Sequence, residues 1–374
     1  MKETPLVDSR IPALARNLLD YSLDLQPGEK LLIEGETGSE ELVRGLIAET
    51  YARGAQPFFE VVDPALRRAQ LLGATREQLD VEMRWRLARG KEMDAYLSIQ
   101  AGENLFEYAD VPPETMQQFG LAKKPLVDET LTRRWSQLRF PTPSAAQSAG
   151  MSTEGFRDFC YRVSMLDYSR MDRAMDPLVE LMERTDRVEI RGPGTDLSFS
   201  IKGLPVVKCA GKANIPDGEV FTAPVKESVN GTITYNTPSV FDGVTCEGVS
   251  LTFKDGKSIR ATGTPQEKID AIFATDEGAR YVGEFALGVN PYIERPMKDI
   301  LFDEKISGSL HFTPGNAYEG YCDNGNHSAV HWDLVLIQTP EWGGGEIWFD
   351  GVLVRKDGLF VLPELEGLNP EGLL

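Results

Sequence analysis

The sequence predicts two domains, an α/β N-terminal layer domain followed by an α+β, strand-rich C-terminal domain. Its 374 residues suffice for two domains of about 100–200 residues each, and 41% of them are hydrophobic, which allows two cores. Apolar runs alternate with helical segments in the first half, whereas short β-type runs separated by turns fill the second half. We therefore expect domains at 1–186 and 187–374.

The N-terminal half consists of predicted strand–helix–strand units. Apolar runs at 30–34 and 58–62 flank a helical segment at 39–55, which Ser39 can cap and Gly54 ends. A second helix is expected over 64–89, a buried strand at 95–99, a helical stretch from Gln117 and a short run at 135–140. Strands that alternate with helices are typical of an open, largely parallel sheet.

The C-terminal half has the pattern of an antiparallel domain. Two further helices, at about 153–167 and 175–185, precede a change of character near residue 186. The segments 188–191 and 197–201 then have β-type composition, and Asp-Gly pairs at 255–256 and 357–358 are typical of hairpin turns. A helix at about 265–274 interrupts these strands.

Composition excludes several classes of function. With 39 basic and 58 acidic side chains, the net charge of −19 would repel a phosphate backbone, so we expect no nucleic-acid partner. The longest apolar runs are far shorter than the ~20 residues of a membrane helix. Residues 1–5 carry an acid and a proline where a secretory signal would be basic and apolar. The four cysteines are widely spaced, which favours reduced thiols and a cytoplasmic location.

The three histidines are the unusual feature, because all of them lie between positions 311 and 331. Alternate residues of a strand face the same side, so His331 and Asp333 would point into one cavity. An imidazole and a carboxylate together suit zinc, cobalt, manganese or iron(II). The pair is equally compatible with an aspartate that only orients a core histidine.

Two glutamates favour the interpretation that this region binds a metal. Glu219 and Glu284 each follow a glycine and stand in an apolar run. A carboxylate in such a run is either exposed at an edge or buried, and burial requires a counter-charge, which a metal ion would supply.

Three ordered motifs carry a resemblance to a known family. They are Gly-Glu-Val-Phe-Thr-Ala-Pro at 218–224 with Ser-Val-Asn-Gly at 228–231, Gly-Glu-Phe-Ala-Leu-Gly at 283–288, and His-Trp-Asp at 331–333. Together they resemble the thermophilic-type metallo-aminopeptidase family of aminopeptidases T and S and the streptococcal PepS enzymes. The likeness is close over about 187–370 and weak over the N-terminal half.

The resemblance implies a homodimeric two-metal exopeptidase that removes N-terminal residues from short peptides, with 187–374 as its catalytic domain. Residue by residue, Glu219 and Glu284 match the family's two Gly-Glu ligands, and His311 matches its histidine ahead of a glycine turn. Tyr318 matches the active-site tyrosine, and His331 and Asp333 match the closing His-x-Asp. Glu304 resembles a further acidic ligand. The spacing from Glu304 to His311 is longer than in the family pattern. The segment 315–326 is shorter than in the better-known members, so substrate preference does not transfer.

Peptide hydrolysis gives these side chains roles. It needs an activated water and a stabiliser of the tetrahedral oxyanion, and two metal ions about 3.5–4 Å apart supply both. Glu284 is the candidate for a carboxylate that bridges two divalent ions (zinc, cobalt, manganese or magnesium), whereas Glu219 could be a terminal ligand or the general base. The Tyr318 phenol could donate a hydrogen bond to the oxyanion.

Two nearby residues are discounted. His327 is expected in the turn before the apolar run at 332–337, and Cys322 is expected to be a buried thiol without a catalytic base.

Two other functions remain open. A mononuclear iron(II) ring-cleaving dioxygenase, a class with members that resemble this fold, would need only His311, His331 and Asp333, and the added carboxylates would crowd such a site. A non-enzymatic binding module is the third hypothesis.

Overall fold

The computed structural model describes residues 8–374, which form two compact units. The first unit extends to Leu166 and includes Gly211–Pro216, and the second comprises Asp167–Ala210 and Asp217–Leu374. The division therefore differs from the boundary expected near 186. The reason is a helix at Tyr168–Arg184, capped by Asp167, which packs against strands of the second unit. The N-terminal motif at 1–5 lies outside the described residues.

The first unit is built on a five-stranded parallel sheet in the order β2-β1-β3-β4-β8. The predicted strands are confirmed, and the short β8 comes from the returning segment. The strands are β1 Lys30–Glu36, β2 Gln56–Val62, β3 Ala95–Gln100, β4 Arg134–Arg139 and β8 Asn214–Ile215.

Helices accompany these strands, with two differences from the sequence prediction. The helix expected over 64–89 is two helices, because Ala74 is extended and Thr75 caps a new helix by accepting a hydrogen bond from the Gln78 amide. Two helices were not predicted: a first helix, continued by a π-helical turn at Leu18–Ser22, and a short helix at Pro143–Ser148. The α-helices are α1 Ile11–Asn17, α2 Glu40–Ala52, α3 Pro64–Gly73, α4 Arg76–Gly90, α5 Pro113–Leu131, α6 Pro143–Ser148 and α7 Thr153–Ser164.

The second unit contains two antiparallel sheets. The nine-stranded sheet has the order β11-β12-β10-β6-β5-β17-β18-β19, with β13 paired to β12, and the five-stranded sheet has the order β16-β15-β14-β9-β7. The strands are β5 Arg187–Gly192, β6 Thr195–Ser200, β7 Val207–Cys209, β9 Glu219–Thr222, β10 Asn230–Thr234, β11 Ser239–Phe241, β12 Val244–Lys254, β13 Lys257–Thr264, β14 Val282–Gly288, β15 Ser309–Pro314, β16 Val335–Ile337, β17 Glu346–Phe349, β18 Val352–Lys356 and β19 Leu359–Phe360.

Four α-helices complete this unit: α8 Tyr168–Arg184, α9 Gln266–Phe273, α10 Ile300–Asp303 and α11 Pro370–Leu373. The core between its two sheets is aromatic. Phe199 of β6 packs against Phe285 of β14 and Phe312 of β15, with ring centroids 5.0 and 4.9 Å away. Every residue of β14 and β15 is buried, which fixes these strands as a rigid base for their polar side chains.

All four cysteines are free thiols. Within 8–374, no helix combines the length and apolarity that a membrane span requires.

Candidate metal centre

Three adjacent strands bring the predicted acidic and imidazole side chains to one face of the five-stranded sheet. Glu219 begins β9 opposite Gly288 of β14, and His311 of β15 lies opposite Ala286 of β14. Glu284, Ala286 and Gly288 are two residues apart along β14, so they share a face, and cross-strand partners point the same way. Predicted ligands from three separate strands therefore meet.

The glycine before each glutamate has a steric explanation. Gly218 has φ of +134°, a conformation that side chains rarely adopt. At Gly283 an added Cβ would lie 2.2 Å from the Asn316 carbonyl oxygen. Gly288 lets the segment after α10 cross the sheet, because its Cβ would lie 2.5 Å from the Ile306 carbonyl oxygen. The Gly-Glu motifs thus allow the backbone to pass close to the carboxylates.

Glu284 lies at the middle of the cluster and is buried. Its Oε1 is 3.3 Å from His311 Nε2, and its Oε2 is 3.3 Å from His331 Nε2. Burial raises the pKa of Glu284, but hydrogen bonds from the two histidines outweigh burial and lower it below the usual value. Its two oxygens therefore serve two different imidazoles.

His331 is oriented by its neighbours. Its Nδ1 donates to the Asn316 carbonyl oxygen at 2.8 Å, which turns Nε2 towards Glu284 and towards Asp333 Oδ1, 3.2 Å away. The Thr313 hydroxyl donates to the same Asp333 oxygen at 2.7 Å. The strand expected through His331 is wrong in its bounds, since β16 begins only at Val335 and His331 forms a single bridge with Gly315. The two side chains nevertheless converge.

Glu219 and Glu304 lie on the other side of Glu284, around a buried ammonium group. Lys305 Nζ is 2.5 Å from Glu219 Oε1, also contacts Glu304, and lies 3.8 Å from Asp217 Oδ1. Glu219 Oε2 lies 3.5 Å from His311 Nε2 and has no hydrogen-bond partner among the described residues.

The ligand atoms predicted from the sequence form two groups. We call Glu219, Glu304 and His311 the lysine-side group and Glu284, His331 and Asp333 the aspartate-side group; within each, one ligand atom per residue lies within 4.8 Å of the others.

The electrostatics of the cluster favour a bound cation. Burial, together with the neighbouring carboxylates of Glu219 and Asp333, raises the pKa of Glu304 to about 8 even though Lys305 opposes the shift. Four carboxyl groups therefore meet one ammonium, and in the metal-free protein protons on Glu304 and on the two histidines supply the positive charge that a metal ion would replace. Glu219 Oε2 is an unpaired buried acceptor, and carboxylates with imidazoles are ligands that divalent transition ions accept. These residues fit a metal ion.

The remaining predicted residues lie at different distances from this cluster. The Tyr318 hydroxyl is 3.1 Å from His331 Nε2, and the ring packs against Phe221. His327 lies in a loop, half exposed, with Nδ1 3.2 Å from Glu319. Cys322 is buried beside Phe221, and burial raises the pKa of its thiol to about 11, so it is a poor nucleophile.

Several polar residues of the site were not predicted from the sequence. Lys305 and Asp217 lie within two residues of predicted ligands in the chain, yet nothing in their spacing indicates that they point inward. Thr313 and Cys209 could have been suggested only by strand register, since Thr313 pairs with Glu284 and Cys209 pairs with Glu219. The Cys209 thiol lies near Asp217 and Glu219, and burial keeps its pKa well above the usual value.

A buried cluster of carboxylates and imidazoles on adjoining strands is typical of a metal-dependent enzyme. Comparison with known proteins agrees. The family model described as thermophilic metalloprotease (M29) matches residues 7–343. Aminopeptidase 2 of Geobacillus stearothermophilus is 26% identical over 94% of this chain and 95% of its own length. Aminopeptidase T of Thermus thermophilus is 26% identical over 91% of this chain and 93% of its own length.

The fold is likewise similar to a solved structure. Wild-type AmpT from Thermus thermophilus aligns with a TM-score of 0.80 over 94% of this chain and 99% of its own, at 23% identity. The chain belongs to the M29 family of thermophilic metalloproteases. The predicted family of metallo-aminopeptidases, the enzyme class and the two-domain fold class are thereby confirmed, and the dioxygenase alternative gains no support.

Proposed function

We propose that this enzyme removes N-terminal residues from short peptides at a dinuclear metal centre with a bridging water. The observation that carries the proposal is the position of Glu284, whose Oε2 faces His331 of its own group while its Oε1 faces His311 of the lysine-side group. A bridging carboxylate requires this arrangement. The relatives named aminopeptidase 2 and aminopeptidase T support N-terminal cleavage.

The lysine-side group would hold one divalent ion and the aspartate-side group the other, with Glu284 shared. When bound, two such ions activate water for attack and polarise the scissile carbonyl. Zinc, cobalt, manganese and magnesium all accept ligands of these kinds. We assign Glu219 as a ligand rather than as the general base, because Lys305 already occupies its Oε1 and only Oε2 remains available.

The protein's own side chains would orient the substrate and stabilise charge. Burial and the nearby carboxylates raise the pKa of Tyr318 far above its usual value, so the phenol keeps its proton and can donate a hydrogen bond to the oxyanion. Thr313 holds Asp333 in place through its hydroxyl.

Release of N-terminal residues from short peptides tests this function. The full-length protein is incubated with a peptide panel in cobalt, zinc, manganese or magnesium, beside a chelator-treated sample and a set with acetylated N-termini. We expect metal-dependent, stepwise release from the free-amine peptides only. Oxygen uptake with one equivalent of iron, or no hydrolysis with any of the four metals, would refute the proposal in favour of the dioxygenase or of a binding module.

The homodimer and the cytoplasmic location remain part of this proposal. In the described part of the first unit, β2 is an edge strand with Phe58, Phe59 and Val61 exposed, a surface that a second copy could cover. The four free thiols suit a reducing compartment. Sedimentation of the purified protein tests the dimer, and fractionation of the source cells tests the location.

A further inference from the structure

We propose that the buried ammonium of Lys305 makes the two metal positions unequal, so that the ion held by the lysine-side group binds more weakly and exchanges more readily than the ion held by the aspartate-side group. This inference rests on the proposed dinuclear function and deepens it. It predicts one resident ion and one whose occupancy follows the metal supply.

The position of Lys305 is unusual for a lysine. Its side chain has 0% exposure, and a buried ammonium is costly unless carboxylates surround it. Three do, since Glu219 and Glu304 are in contact and Asp217 Oδ1 is 3.8 Å away. The backbone fixes the location, because Lys305 directly follows Glu304 where the chain crosses Gly288.

The ammonium contacts the same carboxylates that a metal would use. Lys305 takes Oε1 of Glu219 and one oxygen of Glu304, so an ion in the lysine-side group would share both residues with a fixed positive charge. The aspartate-side group differs. Within residues 8–374, Glu284 and Asp333 form ion pairs only with histidines, and the Thr313 hydroxyl on Asp333 is neutral.

The direction of the effect of Lys305 on metal affinity follows from its positive charge. Two cations that share ligands in a buried site repel each other, so the ammonium must weaken metal binding beside it. Removing the charge of Lys305 should therefore strengthen metal binding in the lysine-side group. A coupling between two sites typically changes the affinity by about 5- to 150-fold. Lys305 also orients Glu219, and losing such an outer contact usually weakens a metal site by about 10- to 100-fold. We expect the charge to dominate because the ammonium touches two ligands of one ion.

Binding of Co²⁺ alone, measured by calorimetry and visible absorption on the full chain, tests the inference. The wild type is compared with Lys305→Met, which keeps the length of the side chain without its charge, and with Lys305→Gln, which keeps a hydrogen-bond donor. The control is Lys257→Met, whose ammonium pairs with Glu277 at 2.6 Å outside the cluster.

The wild type should bind two equivalents that differ by about tenfold or more in affinity. In the Lys305 variants the weaker one should tighten by about tenfold or more while the tighter one changes little, and Lys257→Met should match the wild type. Two indistinguishable equivalents in the wild type, a weaker equivalent that does not tighten in the variants, or a single ion in every protein would overturn the inference. Should Lys305→Met not fold, Lys305→Gln decides.

Hydrolysis of the free-amine peptides is measured on the same samples. Two ions bound with equal affinity by a fully active protein would refute the proposed effect of Lys305 on metal binding and leave the proposed function standing. Unequal binding that responds to Lys305 without hydrolysis would refute the proposed function alone.

Discussion

Glu284 presents its Oε2 to His331 Nε2 at 3.3 Å, while its other oxygen faces a different histidine at the same distance. A carboxylate that only oriented one core histidine would have no reason to divide its oxygens in this way. The division links the lysine-side group and the aspartate-side group of ligand atoms. It is the structural basis of the dinuclear proposal.

Glu284→Gln should abolish hydrolysis and lower the bound metal while the protein stays folded. The amide keeps the volume of the buried side chain but removes the negative charge and one acceptor oxygen. Metal content by mass spectrometry and peptide hydrolysis measure the effect. Glu277→Gln, which alters an exposed glutamate paired with Lys257, serves as the control and should behave as the wild type. Near-normal turnover in Glu284→Gln would show that the bridging assignment is wrong.

The histidines should respond unequally to substitution by alanine. His331→Ala removes an imidazole from the aspartate-side group and should reduce hydrolysis by more than about 100-fold, beyond the cost of losing an outer contact. His327→Ala removes a half-exposed ring that faces Glu319, so activity should change by less than about twofold. Equal losses in the two variants, measured as kcat/KM on one peptide, would contradict the site.

Tyr318→Phe should lower kcat by about 100- to 1000-fold with little change in KM or in metal content. The ring can still pack against Phe221, whose centroid is 5.6 Å away, so the fold is preserved and only the donor hydroxyl is lost. Steady-state kinetics separates the two parameters. A rise in KM at unchanged kcat would instead assign Tyr318 to substrate binding.

Metal binding should release protons at neutral pH. Burial lowers the pKa of each imidazole, but Glu284 with Glu219 raises that of His311 to about 9, and Asp333 with Glu284 raises that of His331 to about 12. Both rings are therefore protonated at neutral pH in the metal-free protein, and a metal accepts only the neutral ring. Apparent metal affinity should rise with pH.

The same shifts give the opposite trend for the stability of the metal-free protein. A pKa raised above the usual 6.5 contributes stability that is complete below that pH and is lost as the pH rises through about 9 for His311.

The release of protons on metal binding is counted by calorimetry in buffers of different ionisation enthalpy, with His327→Ala as the unchanged control. Metal binding without proton release would contradict the ligand roles of the two histidines.

The fold could be predicted from local patterns wherever an element carries its own signal. The alternation of β1, α2 and β2 and the hairpin turns of the second unit were predicted correctly because propensity and turn residues agree with the fold. The split between α3 and α4 was missed because Ala74 favours helix and only the Thr75 cap ends the first segment. The division of the chain was misplaced because α8 joins the second unit through tertiary packing.

The metal ligands could be predicted from the sequence, but the residues that contact and orient those ligands could not. Glu219 and Glu284 carry a signal, since an acid after a glycine in an apolar strand needs a reason to be buried. Lys305 carries none, because a lysine beside Glu304 in a short connection is ordinarily exposed. Its burial depends on long-range packing over Gly288, which no local pattern records.

Anomalous diffraction from crystals of the full chain loaded with Co²⁺ locates the bound ions and decides whether Glu284 joins two of them. We expect two anomalous peaks on either side of Glu284, one beside Glu219, Glu304 and His311 and the other beside His331 and Asp333. A single peak at saturating cobalt, or two peaks that do not share Glu284, would contradict the dinuclear centre.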